Sequence, residues 1–184
     1  MFCTNEIDDE KKLLNNEQCQ TCSETLKYVC EKGGDITLFK LALLKNAVPL
    51  NELNILLTIS TNYNNMDIAK FLIEKGANEW DSCLIYGCMH GNIEIMNIGI
   101  KNGSTKFNEA AMWGTVQSQV ETVTKMINCG ANNYENCLYH ACRESCIPLI
   151  KLMIEKGAQD RSMLMQCQID KLKELGLNLN EFDN

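Results

Sequence analysis

Proline, histidine and long apolar runs are scarce in this chain, and each shortage excludes a class of protein. The 184 residues include two Pro and two His, and neither Pro49 nor Pro148 lies in a proline-rich linker. No stretch approaches the roughly 18 consecutive apolar residues that a membrane-spanning helix needs. Apolar residues still make up 45%, which argues against disorder, and abundant Leu, Ile, Met, Lys and Glu favour helix.

Basic residues are also in deficit. The 17 Lys and Arg face 24 Asp and Glu, for a formal net charge of −7, and no block of Lys and Arg stands out. An acidic chain has no net attraction for nucleic acid or for an anionic membrane, so we expect neither partner. Residues 1–12 are polar and acidic and do not resemble a secretory signal, so we expect a protein of the cytoplasm or the nucleus.

Cysteine is the abundant exception, with 11 residues. In a secreted chain that number would indicate disulfides and one unpaired thiol. Without a secretory signal, a reducing compartment is the better interpretation, in which free thiols serve as small apolar side chains.

The chain has an internal repeat of 27 residues. Apolar segments end at glycines with that spacing, three of which precede an alanine: Gly76, Gly103, Gly130 and Gly157. A turn-forming residue comes twelve positions before each glycine: Asn64, Gly91, Ser118 and Ser145. Glycine favours the positive φ of a helix terminator, and asparagine is the next best residue there.

The register extends in both directions. Asn46 takes the place of the terminal glycine in the first unit, with Gly34 twelve residues before it. A shorter closing unit ends at Gly176, residues 1–20 hold a partial capping helix near 7–14, and residues 177–184 form a tail. The repeat domain therefore spans 21–176, with units at about 21–46, 50–76, 80–103, 107–130, 134–157 and 161–176.

Each unit predicts two helices. Helix A covers about nine residues, such as 81–90, and a tight turn at Gly91 leads to helix B, whose apolar pattern from Ile93 to Ile100 ends at Gly103. Pro148 falls in the first turn of its helix, where a missing N–H costs little. So short a unit cannot bury its apolar face alone, so we expect the helix pairs to stack into an all-α solenoid.

The segment Leu138-Tyr139-His140-Ala141-Cys142, together with helices B that end in Gly-Ala, resembles the ankyrin repeat. Leu84, Ala111 and Leu138 match the ankyrin leucine, and Gly87, Gly114 and Ala141 match the small residue three positions on. The Thr-Pro pair is missing, and the unit is shorter than the usual length of about 33 residues. The compact unit is similar to the ankyrin repeats of giant DNA viruses of amoebae. The resemblance implies a solenoid without catalytic residues or cofactors, in the host cytoplasm if the protein is viral.

Metal or redox chemistry has one candidate. Cys19 and Cys22 form a C-x-x-C pair, with Cys30 nearby, but a zinc site needs four ligands and no second pair exists. A redox motif would need a βαβ context. The other cysteines follow the repeat register, which favours packing roles: Cys30, Cys88 and Cys142 at one position, where Thr61 and Thr115 alternate with them, and Cys83 and Cys137 at another.

The resemblance also implies a binding surface. Two residues beyond the ankyrin leucine, helix A faces the concave groove, and that row holds large side chains, with further contacts three residues on. The predicted partner-binding residues are Tyr28, Ile59, Tyr86, Met89, Trp113, Val116, His140 and Arg143. Tyr and Trp are enriched at binding hot spots, although packing between helices is the alternative. A second aromatic row, Trp80, Phe107 and Tyr134, is interpreted as structural.

The predicted function is therefore a non-enzymatic protein–protein interaction module that binds a host or viral protein through its concave face. The acidic surface would favour a partner with basic residues nearby. Two alternatives stay open: a zinc or redox protein that uses the N-terminal cysteines, and a structural subunit that assembles with copies of itself.

Overall fold

The computed structural model describes residues 19–45, 48–160 and 162–176, and within these ranges the secondary structure consists of α-helices, without strands. More than half of the chain is helical, which confirms the all-α prediction. The eleven helices of the described ranges are α1 (Cys19–Lys32), α2 (Ile36–Lys45), α3 (Leu50–Asn62), α4 (Met66–Glu74), α5 (Trp80–Met89), α6 (Ile93–Lys101), α7 (Phe107–Val116), α8 (Val120–Asn128), α9 (Tyr134–Arg143), α10 (Ile147–Glu155) and α11 (Gln166–Glu174). The partial helix predicted near residues 7–14 and the tail at 177–184 lie outside these ranges.

The helices follow the predicted period closely. The B helices α4, α6, α8 and α10 each have nine residues and start 27 residues apart, and the A helices α5, α7 and α9 each have ten residues with the same spacing. Identical helix lengths at identical spacing show that the repeat in the sequence is a repeat of local structure.

The predicted turn residues have left-handed backbone conformations. Between helix A and helix B, φ is positive at Asn64, Gly91, Ser118 and Ser145; after helix B, it lies between 95° and 112° at Gly76, Gly103, Gly130 and Gly157. The first unit corrects one prediction: the left-handed residue is Gly33, with φ of 69°, and not Gly34. The predicted register counts back from Asn46, which lies outside the described residues. In α1 the left-handed residue directly follows the helix end at Lys32, whereas in α3 it comes two residues after the end at Asn62.

The chain divides into two compact bodies, Met1–Cys83 and Leu84–Asn184. In the first, the N-terminal body, α1 packs against α2 and α3, and α3 packs against α4. Its core contains Leu26, Phe39, Leu56, Leu57 and Leu72, all of which are at most 2% exposed. Phe39 also meets Phe71 edge to face, with ring centroids 6.4 Å apart.

In the second, the C-terminal body, α7 packs against α8 and α9, α9 against α10, and α10 against α11. One apolar cluster runs through these helices and includes Leu84, Met96, Met126, Leu138 and Ile150. The partly buried rings of Phe107 and Tyr134 pack against it, as their structural interpretation predicted.

The closing unit has one described helix rather than two. After α10 the described residues form turns and extended segments up to α11, which ends before Gly176 with φ of 81°. α11 packs on α10 and buries Leu172, so it fills the place of a helix B. Helix α9 is therefore followed by no further helix A within the described ranges.

Candidate functional site

The A helices bury one side and expose the other. Leu84, Ala111 and Leu138 are at most 1% exposed. Two residues is about 200° around a helix, so the residue after next points away from the core. Trp113 is 38% exposed and Tyr28 47%, whereas Ile59, Tyr86 and His140 are half-buried. The predicted row thus consists of large side chains that keep part of their surface in solvent.

The residues three positions further on continue this surface. Met89 and Val116 are half-buried, and Arg143 is exposed. Tyr28 and Ile59 belong to the N-terminal body, and the other six predicted binding residues belong to the C-terminal body. We call those six the C-terminal row: Tyr86, Met89, Trp113, Val116, His140 and Arg143.

At one end of the C-terminal row, two of its side chains contact the ring of Tyr139 on the same helix. The rings of Tyr139 and His140 meet edge to face, with centroids 5.2 Å apart and planes at 84°. The guanidinium carbon of Arg143 lies over the Tyr139 ring, 6.0 Å from its centroid. We call these three residues the α9 cluster. Sequence reasoning predicts His140 and Arg143 as binding residues but misses Tyr139.

Tyr139 is exposed because of where α9 lies in the chain. The equivalent residues one and two units earlier, Met112 and Ile85, are half-buried, and Ile85 packs against the core. Tyr139 is 44% exposed, because no further helix A follows α9 in the described ranges. The shortened closing unit, visible in the sequence as an early Gly176, was the available indication.

The cysteines in repeat register are buried, as predicted: Cys30, Cys83, Cys88, Cys137 and Cys142. Burial, with a smaller effect of Glu31, raises the pKa of the Cys30 thiol from 9.0 to about 12. Burial also raises the pKa of Cys88 to about 11, against the opposing effect of a hydrogen bond with Thr122. Such thiols stay protonated at neutral pH and are poor nucleophiles or metal ligands.

The proposed metal ligands lie at the edge of what the structure describes. The side chains of Cys19 and Cys22 are outside the described set, so the zinc hypothesis stays a prediction. Among the described side chains, no three His, Cys, Asp or Glu residues come together as metal ligands.

Sequence reasoning missed a set of side chains that join neighbouring units. Near the ends of three A helices, a backbone carbonyl accepts a hydrogen bond from a side chain of a later unit. Asn65 Nδ2 donates to the Cys30 carbonyl at 2.6 Å, and Thr122 Oγ1 donates to the Cys88 carbonyl at 3.0 Å. Gln168 Nε2 donates to the Cys142 carbonyl at 2.8 Å. Thr122 and Gln168 are buried. For Thr122 and Gln168, a polar residue at an otherwise apolar helix-B position was the available indication, since a buried polar group needs a partner.

A second missed set joins helix A to the loop after helix B. Asn54 and Asn78 bond reciprocally, with Asn54 Oδ1 accepting from the Asn78 backbone N–H at 2.8 Å and Asn54 Nδ2 donating to Asn78 Oδ1 at 2.9 Å. Asn108 and Asn132 repeat this at 2.7 and 3.0 Å. In the next unit Glu135 accepts from the backbone N–H groups of Gln159 and Asp160. These exposed pairs carry no hydrophobic periodicity, so pattern analysis passes over them.

A cleft of about 340 Å³ lies in the N-terminal body, at the turns before α2 and α4. Its walls are formed by Gly33, Gly34, Ile36, Asn64, Asn65, Met66, Asp67 and Ile68. That lining offers one carboxylate and no histidine, cysteine or lysine, so it lacks the paired acid and base groups of a hydrolytic site. Of the helices described, none is both long and apolar enough to cross a membrane.

Comparison with known proteins finds no family model that matches the chain and no curated protein that matches it.

Proposed function

We propose that this protein is a non-enzymatic binding module, built as an ankyrin-type solenoid of short helix pairs, that recognises another protein, host or viral, through the exposed side of its A helices. The observation that supports the proposal most directly is the exposure of the C-terminal row. Trp113 is 38% exposed while Ala110 and Ala111 of the same helix are fully buried.

The composition of this surface suits recognition better than chemistry. Trp, Tyr and Arg dominate binding hot spots because each has a large contact area and a polar end. Half-buried side chains are also partly held in place, so less conformational freedom is lost on binding. Tyr86, Trp113 and His140 occur at successive equivalent positions in the repeat, a regular spacing that suits an extended partner segment.

The proposal predicts that Tyr86→Ala combined with Trp113→Ala removes partner binding while leaving the fold intact. We expect a loss of about 2 kcal/mol or more, the usual threshold of a hot spot. Partners recovered by affinity capture with the wild-type protein would be purified, and their binding measured by calorimetry.

Tyr63→Ala is the matched control, because Tyr63 is an aromatic residue, 52% exposed, outside the row. It should leave affinity unchanged. Equal loss of binding in the control, or unfolding of the double variant seen by circular dichroism, would contradict the proposal. Light scattering on the same samples tests the self-assembly alternative, which predicts a mass that rises with concentration.

A further inference from the structure

We propose that the α9 cluster of Tyr139, His140 and Arg143 docks a carboxylate, supplied by an Asp or Glu side chain on a peptide segment of the partner protein. This inference rests on the proposed function and specifies the chemistry that one end of the row recognises.

The geometry prepares the guanidinium of Arg143 for such a group. Its carbon lies 6.0 Å from the centroid of the Tyr139 ring, within the range of a cation–π contact. Tyr139 in turn meets His140 at 5.2 Å. A guanidinium that lies over a ring still has N–H donors directed away from the ring, and a planar carboxylate can bind these through two parallel hydrogen bonds.

Arg143 lacks a carboxylate partner within the described part of the chain. Ion pairs in the C-terminal body join Lys151 to Glu155 and Lys171 to Glu174, and they do not involve Arg143. The carboxylate of Glu135, on the same helix, is engaged by the backbone N–H groups of Gln159 and Asp160, at 2.5 and 3.2 Å. The described contacts of Arg143 therefore supply it with a ring but with no anion.

The net charge of the chain indicates which kind of anion the α9 cluster can bind. With a formal net charge of −7, the protein repels polyanions such as nucleic acids and anionic membranes at long range. Arg143 is the only arginine in the described ranges, so the cluster suits one negative group rather than a row of them. A single acidic residue beside an apolar or aromatic residue fits both Arg143 and the exposed Tyr139.

Selection from a library of short random peptides tests the proposal without a known partner. The wild-type protein should select peptides in which Asp or Glu stands beside an aromatic or large apolar residue. Arg143→Ala should lose the preference for acid, and Arg143→Lys should retain part of it, because lysine keeps the charge without the planar fork. Lys156→Ala removes one exposed positive charge elsewhere and should select the same peptides as the wild type.

Affinities of one selected synthetic peptide then give the magnitude. By fluorescence anisotropy, Arg143→Ala should weaken binding at least about 10-fold, as expected for a hot-spot residue, whereas Lys156→Ala should change it less than about twofold, as for an exposed charge outside the site. Added salt should weaken wild-type binding more than that of Arg143→Ala.

The failures of the two proposals are distinguishable. If peptides are selected but acid is not enriched, or is enriched equally by Arg143→Ala, the carboxylate site is wrong while peptide binding stands. If neither the wild type nor the variants select any peptide, the proposed function fails and this inference fails with it.

Discussion

At the scale of single residues, the repeat position shared by cysteine and threonine accepts small side chains that need no hydrogen-bond partner from another helix. Cys30, Thr61, Cys88 and Thr115 are all fully buried there. Thr61 and Thr115 satisfy their hydroxyl groups by donating to carbonyls one turn earlier, Leu57 and Ala111, both at 2.8 Å. A thiol needs no such partner. The position therefore requires a side chain of small volume, and the reactivity of the thiol is not what it needs.

The thiols should label in an order set by burial. In native protein treated briefly with iodoacetamide, Cys167 should react before the other cysteines whose side chains the structure describes, because it is exposed, and the five buried ones should stay protected. Peptide mapping by mass spectrometry gives the order, and denatured protein provides the reference for full reaction. Rapid labelling of Cys88 or Cys137 in the native protein would contradict the buried arrangement.

Burial of Cys88 should make stability depend on alkaline pH. Its pKa is raised from 9.0 to about 11, so the thiol stabilises the fold fully below pH 9, and that contribution falls as the pH approaches 11. Cys88→Thr should fold, since threonine occupies equivalent positions. Over this pH interval its free energy of unfolding should fall by up to about 2 kcal/mol less than that of the wild type. Urea unfolding of both proteins at several pH values measures the difference. Parallel curves would contradict the prediction.

At the scale of helices and turns, the repeat predicted most of the structure because local chemistry decides it. A helix B of nine residues between a left-handed turn and a terminal glycine follows from apolar periodicity and from the glycine's tolerance of positive φ. The count failed at Gly33, because the left-handed residue of that turn directly follows the helix end instead of coming two residues after it. It also passed over the asparagine pairs, because bonds between exposed polar groups distant in sequence leave no periodic trace.

The asparagine pair of the C-terminal body should contribute measurably to stability. Asn108→Ala removes the acceptor of the Asn132 backbone N–H and its partner bond, and it should lower the free energy of unfolding by about 1–2 kcal/mol. Asn136→Ala, another exposed helix-A residue, is the control and should change it by less than about 0.5 kcal/mol. Chemical denaturation measures both, and equal effects would show that the pair is dispensable.

Two glycines should respond to alanine for different reasons. At Gly114 an added Cβ would lie 2.7 Å from Cys88 Sγ and 2.9 Å from Val123 Cγ2, so the cost is steric, about 1–3 kcal/mol. At Gly130 nothing lies within 4 Å, but φ is +112°, so the cost is backbone strain, about 1–2 kcal/mol.

The double variant with Cys88→Ala separates the two causes. Removing the Cys88 sulfur should relieve part of the cost of Gly114→Ala and none of the cost of Gly130→Ala. Thermal unfolding of the single and double variants gives the coupling, and strict additivity at Gly114 would contradict the steric explanation.

At the scale of the whole molecule, sequence reasoning predicted the row of partly exposed side chains on the A helices but not Tyr139 at its end. Tyr139 is exposed where no further helix A follows α9 within the described ranges, so its exposure depends on its neighbours and not on the residue itself. Likewise, the partners of Thr122 and Gln168 are carbonyls in another unit. Such relations arise from the packing of units, which a period alone does not specify.

Protection from hydrogen exchange should be uneven within the C-terminal body. α8, α9 and α10 each place several fully buried side chains in the core, whereas α11 contributes Leu172 and Gln168. The amides of α11 should therefore exchange at least about 10-fold faster, since local opening costs less where less surface is buried. Exchange followed by mass spectrometry resolves the helices, and uniform protection would contradict this gradient.

The alternation of cysteine and threonine has a consequence for how such a chain can lengthen or shorten. Thr122 in α8 donates to the Cys88 carbonyl, and Gln168 in α11 donates to the Cys142 carbonyl. The intervening helix B, α10, has the apolar Leu149 at the equivalent position. Loss of the unit that supplies Thr122 would place Leu149 opposite the Cys88 carbonyl, which would keep only its local donor, the Gly91 N–H. Loss of two adjacent units would restore the match. In this part of the chain, removing two adjacent units should therefore disturb the bonds between units less than removing one.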